Sequence, residues 1–163
     1  TDGASTVLLA SEDWAKARGL PVLAYLRTGE TAAVDFVKGD EGLLMVPAYA
    51  VPRMLAKLGL TLQEFDLYEI HEAFAAQVLC TLKAWQDEDY ARTRLGLDRA
   101  PGAIDMSKLN VNGGSLAAGH PFAATGGRIL ANLATMIDRR GGGRGLISIC
   151  AAGGQGVVAV VEK

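Results

Sequence analysis

The chain is poor in the residues that mark most specialised architectures. It has two cysteines, Cys80 and Cys150, in 163 residues. That is too few for a disulfide framework, and a reducing compartment is the default expectation. It also has two histidines, His71 and His120. His71-Glu72 opens like a zinc-binding helix, but position 75 is Ala where a second histidine would stand. No metal is expected. No apolar run reaches the roughly 18 residues needed to span a bilayer, so no transmembrane segment is expected. No basic run appears and the formal net charge is −2, so nucleic acid is not an expected partner. No segment fits the Gly-x-x-x-x-Gly-Lys-Ser/Thr cradle, and Gly113, Gly114 and Gly119 do not fit Gly-x-Gly-x-x-Gly. The Gly-x-Ser-x-Gly elbow of serine hydrolases is missing too.

What is present suits a tightly packed α/β domain. Half the residues are hydrophobic, 20 are glycine and only 6% are aromatic. The length supports one well-buried core. The opening Thr1-Asp2-Gly3-Ala4-Ser5 runs without Met into the apolar Thr6–Ala10. We read this as the interior of a longer protein, with no secretory leader, whose first strand belongs to a preceding domain.

The patterning predicts a buried strand over 5–10 and a helix from the N-cap Ser11 to Gly19. An extended run over 22–28 precedes a loop over 29–44. A helix over 47–58 is closed by Gly59, with Pro52 marking its possible true start. Thr61-Leu62-Gln63-Glu64 matches a capping box and predicts one helical turn. Strand 66–70 leads to helix 72–85, where Cys80 reads as a core residue. Residues 86–108 form a charged excursion, and 109–112 a short strand. Helix 124–138 stops at Gly141-Gly142-Gly143. Strands 146–150 and 157–162 close the chain as an antiparallel pair. The order implies a layered α/β/α domain with a mixed five-stranded sheet.

Two glycine-rich stretches carry the candidate chemistry. One is Asn112-Gly113-Gly114-Ser115-Leu116-Ala117-Ala118-Gly119-His120-Pro121, the other Cys150-Ala151-Ala152-Gly153-Gly154-Gln155-Gly156. Helix-terminal amides near His120 disfavour the imidazolium and leave a neutral base. Taken alone, His120 reads equally as a structural histidine bonded to a loop carbonyl. Backbone amides near Cys150 favour a thiolate, and an active-site Cys150 should alkylate faster than Cys80. Its ordinary alternative is a small buried hydrophobe. His71-Glu72-Ala73-Phe74-Ala75 joins a strand to a helix, where ligands are met in open α/β sheets. Glu72 reads equally as a helix cap.

These three stretches, with Asp2-Gly3-Ala4-Ser5, resemble the C-terminal half of a thiolase, an acyl-CoA acetyltransferase family. The resemblance covers nearly the whole chain. It implies that residues 1–19 are the last strand and helix of the family's N-terminal half, and 20–163 its C-terminal domain. It implies 3-ketoacyl-CoA cleavage by CoA, giving acetyl-CoA and a shortened acyl-CoA, as in fatty-acid β-oxidation. The family's nucleophilic cysteine belongs to the N-terminal half, and Cys80 is not its counterpart. This chain alone is therefore expected to be inactive.

By the same resemblance, His120 activates that nucleophile and helps bind the thioester oxygen. Cys150 is the acid/base at the acetyl-CoA α-carbon. His71 stands where most relatives have an asparagine that holds an oxyanion-hole water. Ala152 replaces a common Gly but keeps the backbone N–H of the family's other oxyanion hole. Phe74 lines the pantetheine tunnel, and Gly119, Gly153 and Asn112 join the substrate, CoA and oxyanion set. His-Glu-Ala-Phe, the charged excursion and the cysteine motif are most similar to thiolase subunits of fatty-acid oxidation complexes.

No cofactor is implied beyond coenzyme A as substrate. Implied partners are acyl-CoA, the N-terminal half, a second copy in a dimer or tetramer, and a hydratase/dehydrogenase subunit. The implied location is the bacterial cytoplasm, with mitochondria as second choice. Two alternatives stay open: an acetoacetyl-CoA thiolase, and a non-catalytic acyl-CoA-binding or dimerisation fragment. A decarboxylating ketoacyl synthase, which shares the fold, would present a histidine in place of the chemistry of Cys150.

Overall fold

Strand β3 (Arg144–Ala151) is nearly all apolar, because helices cover both of its faces. It is the inner parallel neighbour of β2 (Leu67–Ile70) and pairs antiparallel with β4 (Gln155–Glu162). β4 in turn pairs antiparallel with β1 (Tyr25–Ala33). The sheet is mixed and has four strands in the order β1-β4-β3-β2, rather than five. The computed structural model describes residues 2–163. Thr1, the first residue of the expected remnant, lies outside them.

Helices cover both faces. Around the sheet run α1 (Glu12–Ala17), α2 (Val46–Leu58), α3 (Ala75–Ala84), the short turn α4 (Glu88–Tyr90), α5 (Ser115–Ala118) and α6 (Phe122–Arg139). On one face Met54 and Leu55 of α2, Val78 and Leu82 of α3, and Trp85 meet Tyr68, Ile70, Leu146, Val158 and Val160. On the other, Ile129, Leu133 and Ile137 of α6 cover Leu67, Ile147 and Val161. Burying each such side chain stabilises the fold by about 1.5–3 kcal/mol. Gly145 lets α6 sit close, since a Cβ there would lie 2.5 Å from a Leu133 methyl.

Local signals explain most element ends. The Ser11 hydroxyl accepts from the Trp14 N–H and caps α1. Gly59 ends α2 in the left-handed region at φ 66°, and the Leu60 N–H returns to Leu55 O. Pro52 does not start α2. It sits inside a helix that begins at Val46, with Pro47 in the first turn.

The structure corrects several expectations. Residues 5–10 form no strand: no neighbour supplies a ladder, and Leu8 and Leu9 are exposed. The segment is held to α6 through the Ser5 hydroxyl, which donates to Ala124 O. β1 continues to Ala33, through the first part of the expected loop, because β4 offers it a partner. Residues 61–64 make only a turn: the Thr61 N–H donates to the Glu64 carboxylate as in a capping box, but the hydroxyl donates to that carboxylate too, and the Glu64 N–H goes to Thr61 O. Residues 109–112 form no strand but a single bridge from Leu109 to Tyr68, followed by a turn. Cys80 is exposed, since α3 buries the stripe through Gln77, Val78, Thr81, Leu82 and Ala84 instead.

Candidate functional site

The parallel pair β2–β3 sets the site. Ile70 lies opposite Ser148, and the His71 N–H donates to Ser148 O at 2.8 Å. His71 and Cys150 thus leave the carboxyl ends of adjacent parallel strands, the edge at which α/β sheets bind ligands. The α5–α6 connection brings His120 to the same edge. The His71 and His120 ring centroids are 4.2 Å apart.

His71 is buried, and its Nδ1 lies 2.9 Å from the Ser115 hydroxyl. Burial drives its pKa down to about 4, and His120 and Arg128 push in the same direction. The ring is neutral at pH 7. His120 is half-buried, follows Gly119 at φ 87°, and packs against Phe122 with centroids 4.7 Å apart. Its Nδ1 lies 2.7 Å from the Thr125 hydroxyl, which donates to Pro121 O at 3.1 Å. Thr125 is therefore the acceptor of an Nδ1–H, which in the neutral tautomer leaves the lone pair of His120 on Nε2.

Cys150, the penultimate residue of β3, is buried, and burial pushes its thiol up to about 11. The expected thiolate is corrected: desolvation outweighs the amides at the strand end. Among the described residues no hydrogen bond joins this thiol to either imidazole. Phe74 is exposed just ahead of α3, and Ala152 and Gly153 are exposed in the β3–β4 turn. All three lie in connections leaving the same strand ends. Asn112 is exposed in the turn before Gly113, and neither His71 Nδ1 nor His120 Nδ1 bonds to it.

Sequence reasoning passed over the residues that hold this edge together. Asn110, two positions before Asn112, bonds both the N–H and the C=O of Ile70 and the Glu72 carboxylate. Glu72 does not cap α3. It accepts the Leu116 N–H at 3.1 Å and so caps α5, next to Ser115. Gly114 makes room for it, because a Cβ there would sit 2.2 Å from Glu72 Oε2. Ser115, Thr125 and Arg128 were equally silent. Their one signal was a polar residue at a helical interval beside apolar ones, as with Thr125 four before Ile129.

A C-terminal thiolase domain model matches residues 20–163. The chain belongs to the thiolase family. It is 49% identical over 162 residues to a 3-ketoacyl-CoA thiolase of Yersinia pestis (strain Pestoides F), covering 99% of this chain and 36% of that protein. A 3-ketoacyl-CoA thiolase of Yersinia pseudotuberculosis (strain IP 31758) matches to the same extent. Among solved structures, human mitochondrial 3-ketoacyl-CoA thiolase superposes with a TM-score of 0.74 at 34% identity, covering 94% of this chain and 34% of that one. An acetyl-CoA acetyltransferase from Syntrophomonas wolfei gives 0.73 at 30% identity, over 93% and 35%. This thiolase chain thus spans about a third of the length of the relatives it matches. None of its described helices is long and apolar enough to cross a membrane.

Proposed function

We propose that this thiolase chain is the C-terminal part of a 3-ketoacyl-CoA thiolase, with residues 1–19 continuing the N-terminal half and 20–163 forming the C-terminal domain. The reading is carried by the juxtaposition of the two imidazoles beside the strand end that bears Cys150. The His120 Nε2 lone pair accepts the proton of a cysteine thiol supplied by the rest of the protein. That sulfur attacks C3 of the 3-ketoacyl-CoA and the C2–C3 bond breaks. The bonding pair stays on C2 as the acetyl-CoA enolate, whose oxygen His71 stabilises, while the N–H of Ala152 serves the other oxyanion, the one on C3. Cys150 gives its Sγ proton to C2.

A thiol held up at about 11 suits this donor role, because it keeps its proton until a stronger base forms. The Cys150 thiolate then takes the proton of the incoming CoA thiol. The CoA sulfur attacks the acyl-cysteine, shortened acyl-CoA leaves, and the nucleophile recovers its proton from His120. Acid/base help of this kind contributes roughly 10²–10⁴ in rate. Phe74, Gly119, Gly153 and Asn112 complete the substrate surface. Coenzyme A is a substrate, and no further cofactor enters. The protein acts in the cytoplasm as a dimer or tetramer, in reach of a hydratase/dehydrogenase subunit.

The test is thiolysis by the protein that carries this chain, using CoA and 3-ketoacyl-CoAs from acetoacetyl-CoA to 3-ketohexadecanoyl-CoA. Acetyl-CoA release across the longer substrates is expected. Turnover of acetoacetyl-CoA alone would select the acetyltransferase reading, which the likeness to the Syntrophomonas enzyme favours. Binding without turnover of any substrate would leave only an acyl-CoA-binding role.

A further inference from the structure

Ser115 opens α5, and its hydroxyl oxygen has two polar neighbours. The His71 Nδ1 and the Arg128 guanidinium (Nη2) each lie 2.9 Å away. Among the described residues it has no third. A guanidinium only donates, so Arg128 occupies a lone pair of this oxygen. Ser115 is buried, and its own proton needs an acceptor. If His71 carried its proton on Nδ1, two donors would converge on the oxygen. The hydroxyl proton would then be stranded in the interior without an acceptor, which folding penalises. The alternative satisfies both the hydroxyl and Nδ1: Arg128 donates to Ser115, Ser115 donates to Nδ1, and His71 keeps its proton on Nε2. Donation from a cation also makes the hydroxyl a stronger donor.

We infer that Ser115 and Arg128 are positioning residues that lock His71 in the Nε2–H tautomer, opposite to the Nδ1–H tautomer that Thr125 imposes on His120. Two rings 4.2 Å apart are thereby made chemically unlike. One offers an N–H at its far nitrogen and the other a lone pair. The charge of Arg128 also discourages a second proton on His71. Arg128 is not isolated, since the buried Glu69 of β2 lies within its field. On the thiolase reading above, the consequence is a division of labour. His71 serves as a neutral oxyanion donor and His120 as the base, and the two cannot exchange roles.

The tautomers are measured directly by long-range proton–nitrogen correlation on the chain labelled with nitrogen-15 histidine. With two histidines in the sequence, each ring gives its own pattern, and His120→Gln assigns them. The expected spectrum at pH 7 has one Nε2–H ring, His71, and one Nδ1–H ring, His120. Ser115→Ala should turn the His71 pattern into a tautomer mixture while that of His120 stays put. Ser115→Thr should restore it, and Arg128→Met should loosen it in the same direction. A His71 ring in the Nδ1–H form, or one unmoved by Ser115→Ala, overturns the inference. If Ser115→Ala fails to fold, the wild-type and Ser115→Thr spectra still decide. Thiolysis is read separately. Wrong tautomers with turnover intact remove the relay alone, and right tautomers without turnover remove the thiolase activity alone.

Discussion

The Asn110 side chain and the Ile70 backbone exchange two hydrogen bonds, one in each direction, both 2.9 Å long. Asn110 thus imitates a neighbouring strand along the outer edge of β2. It holds this place at a positive φ of 45°, a region asparagine tolerates better than most residues. Its amide also reaches Glu72, so one side chain ties the end of β2 to the cap of α5.

Asn110→Ala should therefore destabilise the chain by about 2–4 kcal/mol, since two backbone groups and a carboxylate lose partners together. Urea unfolding checks this. A midpoint lowered at unchanged slope is the expected outcome, and a midpoint within error of wild type would show the edge to be held elsewhere.

Gly145→Ala should cost about 1–3 kcal/mol by overpacking, because the new methyl meets the fully buried Leu133. The double variant Gly145→Ala/Leu133→Ala should behave non-additively, recovering part of the first loss. Simple addition of the two single costs would argue against direct contact.

The pH dependence of stability contains two opposed contributions. Folding takes His71 from 6.5 to about 4, so between those values the unfolded chain binds more protons and stability rises with pH. Folding takes Glu69 from 4.5 to about 7, so between those values the native chain binds more protons and stability falls with pH. Where the windows overlap, wild-type stability should be nearly flat. Glu69→Gln removes the falling part, and its stability should climb by up to about 1.4 kcal/mol per pH unit through that window. A flat profile for Glu69→Gln would mean that His71 titrates normally.

Thiol labelling should favour Cys80 over Cys150, the reverse of the order expected for an activated cysteine. Cys80 is exposed and Cys150 is buried. With its pKa near about 11, Cys150 is thiolate in fewer than about one molecule in a thousand at pH 7.5. Mass spectrometry after brief iodoacetamide treatment decides the order. Faster modification of Cys150 would show that its strand end opens in solution.

In the thiolysis assay, His120→Ala and Cys150→Ala should each lower kcat by roughly 10²–10⁴. Thr125→Val should have a smaller effect of roughly tenfold, because it frees the His120 ring without removing it. Thr125→Ser should recover the loss. Equal rates for Thr125→Val and wild type would show that the hydroxyl does not orient the base.

The sequence was most readable where one physical cause dominates. The apolar run of β3, the Gly59 stop of α2 and the Ile129-Leu133-Ile137 stripe of α6 each follow from a single periodicity or cap. It was least readable where long-range pairing decides. Residues 5–10 have strand-like composition but no partner, whereas Gly29–Ala33 looks like a loop and is ordered by β4. The same division holds at the site. His71, His120 and Cys150 announce themselves by scarcity, and His120 and Cys150 also by nearby glycines. Ser115, Thr125, Arg128 and Asn110 are common residues whose roles exist only through contacts 5 to 44 positions away in the chain.

The two tryptophans occupy unlike places. Trp85 is wholly enclosed between α3 and the sheet, whereas Trp14 on α1 is 39% exposed, with the Arg18 guanidinium 3.9 Å from its ring centre. Emission from the chain is therefore a two-channel signal. Acrylamide will quench the red-shifted channel and report on the N-terminal segment. The blue channel will stay dark to the quencher until the central layer itself comes apart.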